Sequence, residues 1–335
     1  MGIPHRIFSI LTKPASASPL QKIVERIALS IGHRFPENKL VQSVCRAFSD
    51  NILHHEGGNT ERVATLLTSG KVVFEFTDAT KMYYFLGTDD SADEVPVAKL
   101  LMRMVRPGDV FFDIGANVGF FTFLVAPLCG KSGSVHAFEA NPRLVRNLSR
   151  SVELNQNISS IVVNGVAVGE RDGGDIPLYF SSDLHDIGVT STYPHPWLNA
   201  KSQTNVPLIS IDGYMQRQSL ERIDYMKIDI EGGEMNAFKG MAETFNRHRP
   251  SMIICELLPR EVQIGNAELL PDHTTPPSIE ILDFLTAQGY EPRHISLNGY
   301  LGAEVRRDEV DTLHHNKINV AFVTPQLKNQ VHHRA

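Results

Sequence analysis

The chain has 335 residues, 42% hydrophobic and 21% charged, which is enough for one large α/β domain with a smaller unit beside it. Its net charge of −6 leaves no dominant basic surface, so a nucleic-acid partner is not expected. The three cysteines, Cys45, Cys129 and Cys255, lie too far apart in sequence for a CxxC pair or a disulfide framework, and they read as reduced, buried thiols of a cytoplasmic protein.

From the N-terminus, residues 1–90 read as a helical and hairpin extension. Ile23, Ile27 and Ile31, then Leu40, Val44 and Phe48, recur at helical spacing. A third short helix is expected from about Thr60, where "GGNTERVATLL" offers a cap. "KVVFEFTDATKMYYFLGT" alternates apolar and polar residues around "TDAT" and predicts a hairpin with its turn there. No signal-peptide pattern opens the chain, and no apolar run reaches the roughly 18 residues of a spanning helix.

Residues 91–327 read as the main domain. A helix over "ADEVPVAKLLMRMV" stops at Pro107-Gly108. Short apolar runs then alternate with helical stretches: "DVFFDIG", "SVHAFEA", "SIVVNGVAVG", "DYMKIDI", "SMIICELL" and, last, "INVAFVTP". This rhythm predicts a doubly wound, mostly parallel, seven-stranded sheet with its ligand at the carboxyl ends of the strands. "GDIPLYFSSDLHDIGVTSTYPHPWLN" breaks the rhythm and reads as a strand pair with a mobile loop beside the site. Residues 328–335 read as a frayed tail.

Two strand ends carry the chemistry. In "FFDIGANVGFF", Asp113 ends a strand, Gly115 allows a tight turn, and Gly119 lets the next helix approach closely; Ala116 and Asn117 complete the bend. The spacing is not the G-x-G-x-x-G of a dinucleotide site, and an acid there repels a pyrophosphate and attracts an ammonium group. That counts against an NAD-dependent oxidoreductase. Glu139 ends the next strand, 20 residues after Gly119, where an acid accepts hydrogen bonds from both ribose hydroxyls. Ala140 follows it, and Asn141 either lines the same pocket or caps the helix begun by Pro142. Val166 and Ala167, after the third strand, are placed for adenine. An amine end plus a ribose describes S-adenosylmethionine (SAM).

A third strand, "DYMKIDIEGGEMNAF", brings Asp229 and Glu231 to one face of its end, while Glu234 complements the following helix. Glu256 in "IICELLP" is the matching acid one strand on. Asp229 is assigned to cofactor or acceptor. Asp229, Glu231, Glu256 and the loop residue His185 are the candidate bases, with no choice among them. Mg²⁺ could sit between Asp229 and Glu256, although the reading does not favour a metal. Trp197, Tyr193 and His195 share the loop with His185.

"FDIGANVGFFT", "HAFEANP" and "MKIDIEGGEMNAFKGM" together resemble the motifs of the FkbM-type class I SAM-dependent methyltransferases, over about residues 109–256. The resemblance implies a Rossmann-like methyltransferase domain and methyl transfer to an oxygen of a sugar or small hydroxylated metabolite. A SAM-binding module without turnover, serving as a partner surface, is the alternative.

Overall fold

The computed structural model describes residues 8–9, 61–66, 68, 71–75, 94–180, 190–192, 202–258, 277–313 and 317–327. The third N-terminal helix is not there. Glu61–Leu66 (β2) is a strand, paired antiparallel with Lys71–Glu75 (β3), and Phe8–Ser9 (β1) adds to its other edge. β3 is thus paired with the strand that precedes it in the chain. Val63 and Thr65 are β-branched, which favours a strand over the helix that the cap reading expected. The expected "TDAT" turn and the earlier helices lie outside the described residues.

The hairpin is tied to the main domain. Ser151 Oγ accepts from Val73 N at 2.8 Å, and Asn155 both accepts from Lys71 N (2.8 Å) and donates to Lys71 O (2.7 Å).

The main domain opens with Glu94–Met104 (α1), which ends ahead of the Pro107-Gly108 turn as expected. Val110–Ile114 (β4), Ser134–Phe138 (β5), Ser160–Asn164 (β6), Tyr225–Ile228 (β11), Met252–Leu257 (β12), Glu291–Ile295 (β13), Leu301–Glu304 (β14) and Ile318–Val323 (β15) form one sheet of eight strands. Its order is β14-β13-β15-β12-β11-β4-β5-β6. The run from β6 to β12 is parallel, whereas β15 lies antiparallel between β12 and β13. The mostly parallel, doubly wound expectation holds, with the edge strand β14 bringing eight strands where seven were read. Consecutive strands β4 and β5 run outward on one side, while β11 joins β4 on the other. The carboxyl ends of β4 and β11 are thus the switch point where a crevice opens.

Two cores cover the sheet faces. On one, Phe120–Cys129 (α2) and α1 pack Phe123, Leu124, Leu100 and Leu101 on Phe111. On the other, Phe112, Met226, Ile228 and Ile253 meet Ile211–Gln218 (α4), Glu234–Lys239 (α5), Ala242–Arg247 (α6) and Pro277–Ala287 (α7). The stretch "GEMNAFKGMAETFNRH" forms two helices, α5 and α6. Gly240 passes so close to Gly169 that a Cβ would stand 2.2 Å from its carbonyl oxygen, and Asp212 caps the second piece by accepting from Glu243 N and Thr244 N. The remaining helices are Pro142–Leu154 (α3), capped by Asn141, and Arg307–Asp311 (α8).

The irregular stretch is a second, four-stranded sheet. Asp175–Phe180 (β8) pairs antiparallel with Ser202–Ile209 (β10), Thr190–Ser191 (β9) joins β8, and Ala167–Val168 (β7) joins β10. The expected strand pair is present. The loop with His185, Tyr193, His195 and Trp197 lies outside the described residues. No helix among the described residues is long and apolar enough to cross a membrane.

Candidate functional site

A cleft of about 880 Å³, open to solvent, lies at the ends of β4, β5 and β11. Its walls include Gly115, Ala116 and Asn117 from the first turn, and Glu139 and Ala140 from the second. Val166 and Ala167 line another side, and Asp229 and Glu231 a third. The small sheet contributes Leu178 and residues 190–192.

The first turn is built by its backbone. Gly115 has φ +82 and Asn117 φ +52, both left-handed. The N–H groups of Gly115 and Ala116 donate to Phe138 O at 2.9 and 3.0 Å, locking the turn on β5. Gly119, at φ +91, begins α2 without a side-chain cap, and a Cβ there would meet Leu148 and Phe123 at 2.6 Å. Gly119 is therefore a packing glycine and not part of the cleft wall.

Glu139 is 6% exposed. Its Oε2 accepts from Asn117 N at 2.7 Å and its Oε1 from Asn141 N at 2.8 Å. Each oxygen keeps a further lone pair. Burial pushes the carboxyl up to about 7 against the pull of those backbone donors. Asn141 resolves its two readings in favour of the cap: its side chain accepts from Arg143 N at 2.9 Å.

Asp113 stands behind the turn and not in the cleft wall. It is 1% exposed; Oδ2 accepts from Thr122 Oγ1 at 2.5 Å, while Oδ1 has no hydrogen-bond partner among the described residues. Burial raises its carboxyl, with Lys227 opposing.

Lys227 is one of the residues the sequence reading missed. It sits on β11 directly opposite Asp113 of β4, so the two side chains share a sheet face, and Asp229 follows on that face two residues later. Lys227 Nζ donates to Asp229 Oδ2 at 2.9 Å and lies 4.8 Å from the Phe121 ring centroid. Burial works against its charge, yet Asp229, Asp113 and Glu94 keep the ammonium protonated well above the ordinary lysine value. The signal was a lysine inside the apolar "YMKIDI" with an acid at i+2.

Beyond Asp229 the chain turns through Glu231, at φ +51, and Gly232. Glu234 opens the first turn of α5, where it was read as complementing the helix, and it also accepts from Ile230 N (2.9 Å) and Gly232 N (3.1 Å) in the preceding turn. Ser191 Oγ donates to Glu231 O at 3.0 Å and ties the small sheet to the turn. Burial favours a neutral Asp229, but Lys227 and Lys317 outweigh it and hold the carboxyl below its ordinary range. Burial and then Asp229 push Glu231 up to about 7. Glu256, 3% exposed, lies just outside the cleft wall with Oε1 2.8 Å from Lys317 Nζ. Burial and Asp229 raise it well above the ordinary glutamate value. One carboxylate oxygen from each of Asp229, Glu231 and Glu256 falls within 4.8 Å of the others.

Fold and cleft together define a doubly wound α/β protein with acidic strand ends around a small-molecule crevice. The family model for the methyltransferase FkbM domain matches residues 113–292, more than half of the chain, and the protein belongs to that family. It is 27% identical over 160 residues to the hexuronic acid methyltransferase AglP of Haloferax volcanii, covering 45% of this chain and 58% of that one. It is 26% identical over 151 residues to methyltransferase 1 of Beauveria bassiana, covering 40% and 59%. The match thus spans less than two thirds of either relative. Among solved structures, an FkbM methyltransferase from Methylobacillus flagellatus overlaps with a TM-score of 0.39 at 13% identity, covering 73% of this chain and 52% of that one. Overlap that loose carries no argument about the site.

Proposed function

We propose that the protein transfers a methyl group from SAM to a hydroxyl oxygen of a sugar or small hydroxylated metabolite. The observation that carries this is Glu139. Two backbone N–H groups fix its carboxylate at the carboxyl end of β5, one strand from the switch point, leaving acceptor lone pairs for the two hydroxyls of a ribose. Family membership supports methyl transfer, and the relative named a hexuronic acid methyltransferase supports a sugar acceptor.

Gly115, Ala116 and Asn117 would hold the methionine end of SAM, with Asp113 setting the field behind them. Val166 and Ala167 would flank the adenine. Bound there, SAM supplies an electrophilic methyl group. The chain's own contribution is alignment and exclusion of water, which can be worth about 7–11 kcal/mol. Asp229 and Glu231 face the cleft beyond this region, where an acceptor hydroxyl would enter. Glu231, pushed up to about 7, is the better placed to take a proton near neutrality, because Lys227 already neutralises Asp229. Glu256 supports that pair from behind, and His185 keeps its sequence assignment as a loop candidate.

Titration calorimetry tests the reading. SAM is expected to bind and NADH to give no heat. Glu139→Ala should weaken SAM by about tenfold or more, as expected on losing a charge-assisted pair of hydrogen bonds. Unchanged SAM affinity in that variant would sink the site assignment.

A further inference from the structure

We propose that Lys227 and Glu94 clamp the amino-acid end of the cofactor, with Lys227 donating to its α-carboxylate and Glu94 accepting from its α-ammonium. The clamp rests on the SAM reading and names the two side chains that would recognise the zwitterion.

The position of Asp113 raises the question. The sequence expects it to attract the ammonium, yet it is 1% exposed, accepts from Thr122, and stands outside the cleft wall. An acid in the wall itself must then take that role. Glu94, Glu139, Asp229 and Glu231 line the cleft. Glu139 is fixed by Asn117 N and Asn141 N at the ribose position, and Asp229 is held by Lys227. Glu231 lies past the end of β11, on the side assigned to the acceptor. Glu94 comes from a different element. It sits in the first turn of α1, half-buried, and shares the wall with Phe120 and Phe121 of α2.

The carboxylate of an α-amino acid poses the opposite problem. Those acids repel it, so a zwitterion seats only where a cation stands among them. Among the described residues, Lys227 is the one cation in the wall. An ammonium has three N–H donors, and Asp229 Oδ2 takes one at 2.9 Å. The ring of Phe121, itself in the wall, lies 4.8 Å from Nζ, and Glu94 is near enough to act on the Lys227 charge. The turn assigned to the methionine end packs on the same strand: a Cβ on Gly115 would stand 1.8 Å from Asp229 O. Helix α1 and strand β11 thus bring an acid and an ammonium to one part of the wall. An α-amino acid carries both opposite charges on one carbon and matches that pair.

Titration calorimetry on the full chain tests the clamp with three thioethers that share adenosine. S-adenosylhomocysteine carries the whole amino acid, its decarboxylated form keeps only the amine, and 5′-methylthioadenosine has neither. Lys227→Met should cut the preference for S-adenosylhomocysteine over the decarboxylated form by about tenfold or more, the loss expected of a charge-assisted hydrogen bond. Because this substitution also strips Asp229 of its partner, the ratio between ligands is the readout, not the affinity. Glu94→Gln should cut the preference for the decarboxylated form over 5′-methylthioadenosine by a similar factor, with affinity for 5′-methylthioadenosine unchanged. Either ratio left at its wild-type value, whether or not affinity falls for all three ligands alike, would overturn the proposal. If circular dichroism shows that Lys227→Met does not fold, Glu94→Gln at its half-buried helix start decides. Wild type that binds none of the three sinks the SAM reading and the clamp together. Wild type that binds all three equally sinks the clamp alone.

Discussion

At Gly115 the backbone lies at φ +82, and a Cβ would stand 1.8 Å from the carbonyl oxygen of Asp229. Two restrictions coincide: the left-handed conformation and the contact between the β4 turn and the end of β11. Gly115→Ala is expected to cost about 3 kcal/mol or more, read by denaturant unfolding, with SAM affinity falling as the turn shifts. This glycine was legible because a strand followed by D-x-G needs a bend. Lys227 was not, because its partners come from two places. Asp229 is two residues away, but Asp113 is brought opposite only by the β4–β11 register. A buried ammonium shared by the buried Asp113 and the cleft-lining Asp229 is a property of that pairing. Lys317 and Ser191 were missed for the same reason: each reaches the acid cluster from an element distant in sequence.

Among elements, the hairpin β2–β3 shows where local pattern misleads. "ERVATLL" suits a helix by spacing, and it becomes a strand because β3 is available to pair with it. What fixes β3 is helix α3, through Ser151 and Asn155. Asn155→Ala removes both polar links to Lys71, at a cost of about 1–2 kcal/mol. Hydrogen exchange should then speed up at the Lys71 amide, while amides of β4 and β11 keep their protection. Equal acceleration at the core strands would mean global destabilisation and not undocking. The split of α5 from α6 has a similar origin, since only the packed chain brings Gly240 against Gly169. Neither contact leaves a trace in helical periodicity.

The whole molecule concentrates buried carboxyls at one end of its sheet, and this sets its response to pH. Glu139, Glu231 and Glu234 are each raised by burial to about 7. In the unfolded chain each releases its proton near the ordinary value of about 4.3, so the fold holds protons that the unfolded chain has lost. Their stability contribution is present at acid pH and drains as pH rises through 7. His136, driven down to about 4 by burial, works in the opposite sense, but only between about 4 and 6.5. From about pH 6.5 to 8 the glutamates act alone, and the ligand-free protein is expected to lose about 2 kcal/mol. Thermal unfolding at the two pH values reads this directly. A melting temperature that rises over the interval would contradict it.

The sequence by itself determined the alternation of strand and helix, the bend at Gly115, and the acids at the ends of β4, β5, β11 and β12. These follow from local chemistry: apolar runs bury as strands, glycine alone tolerates the bend, and charge must collect where strands leave the core. Only the tertiary structure decided which acids share the cleft, that Asp113 lies behind it, and that Lys227 and Lys317 neutralise their neighbours. Those outcomes depend on strand order and register, which bring together residues up to about a hundred positions apart, at distances where a carboxylate's environment is set by whatever ion or dipole the fold places beside it.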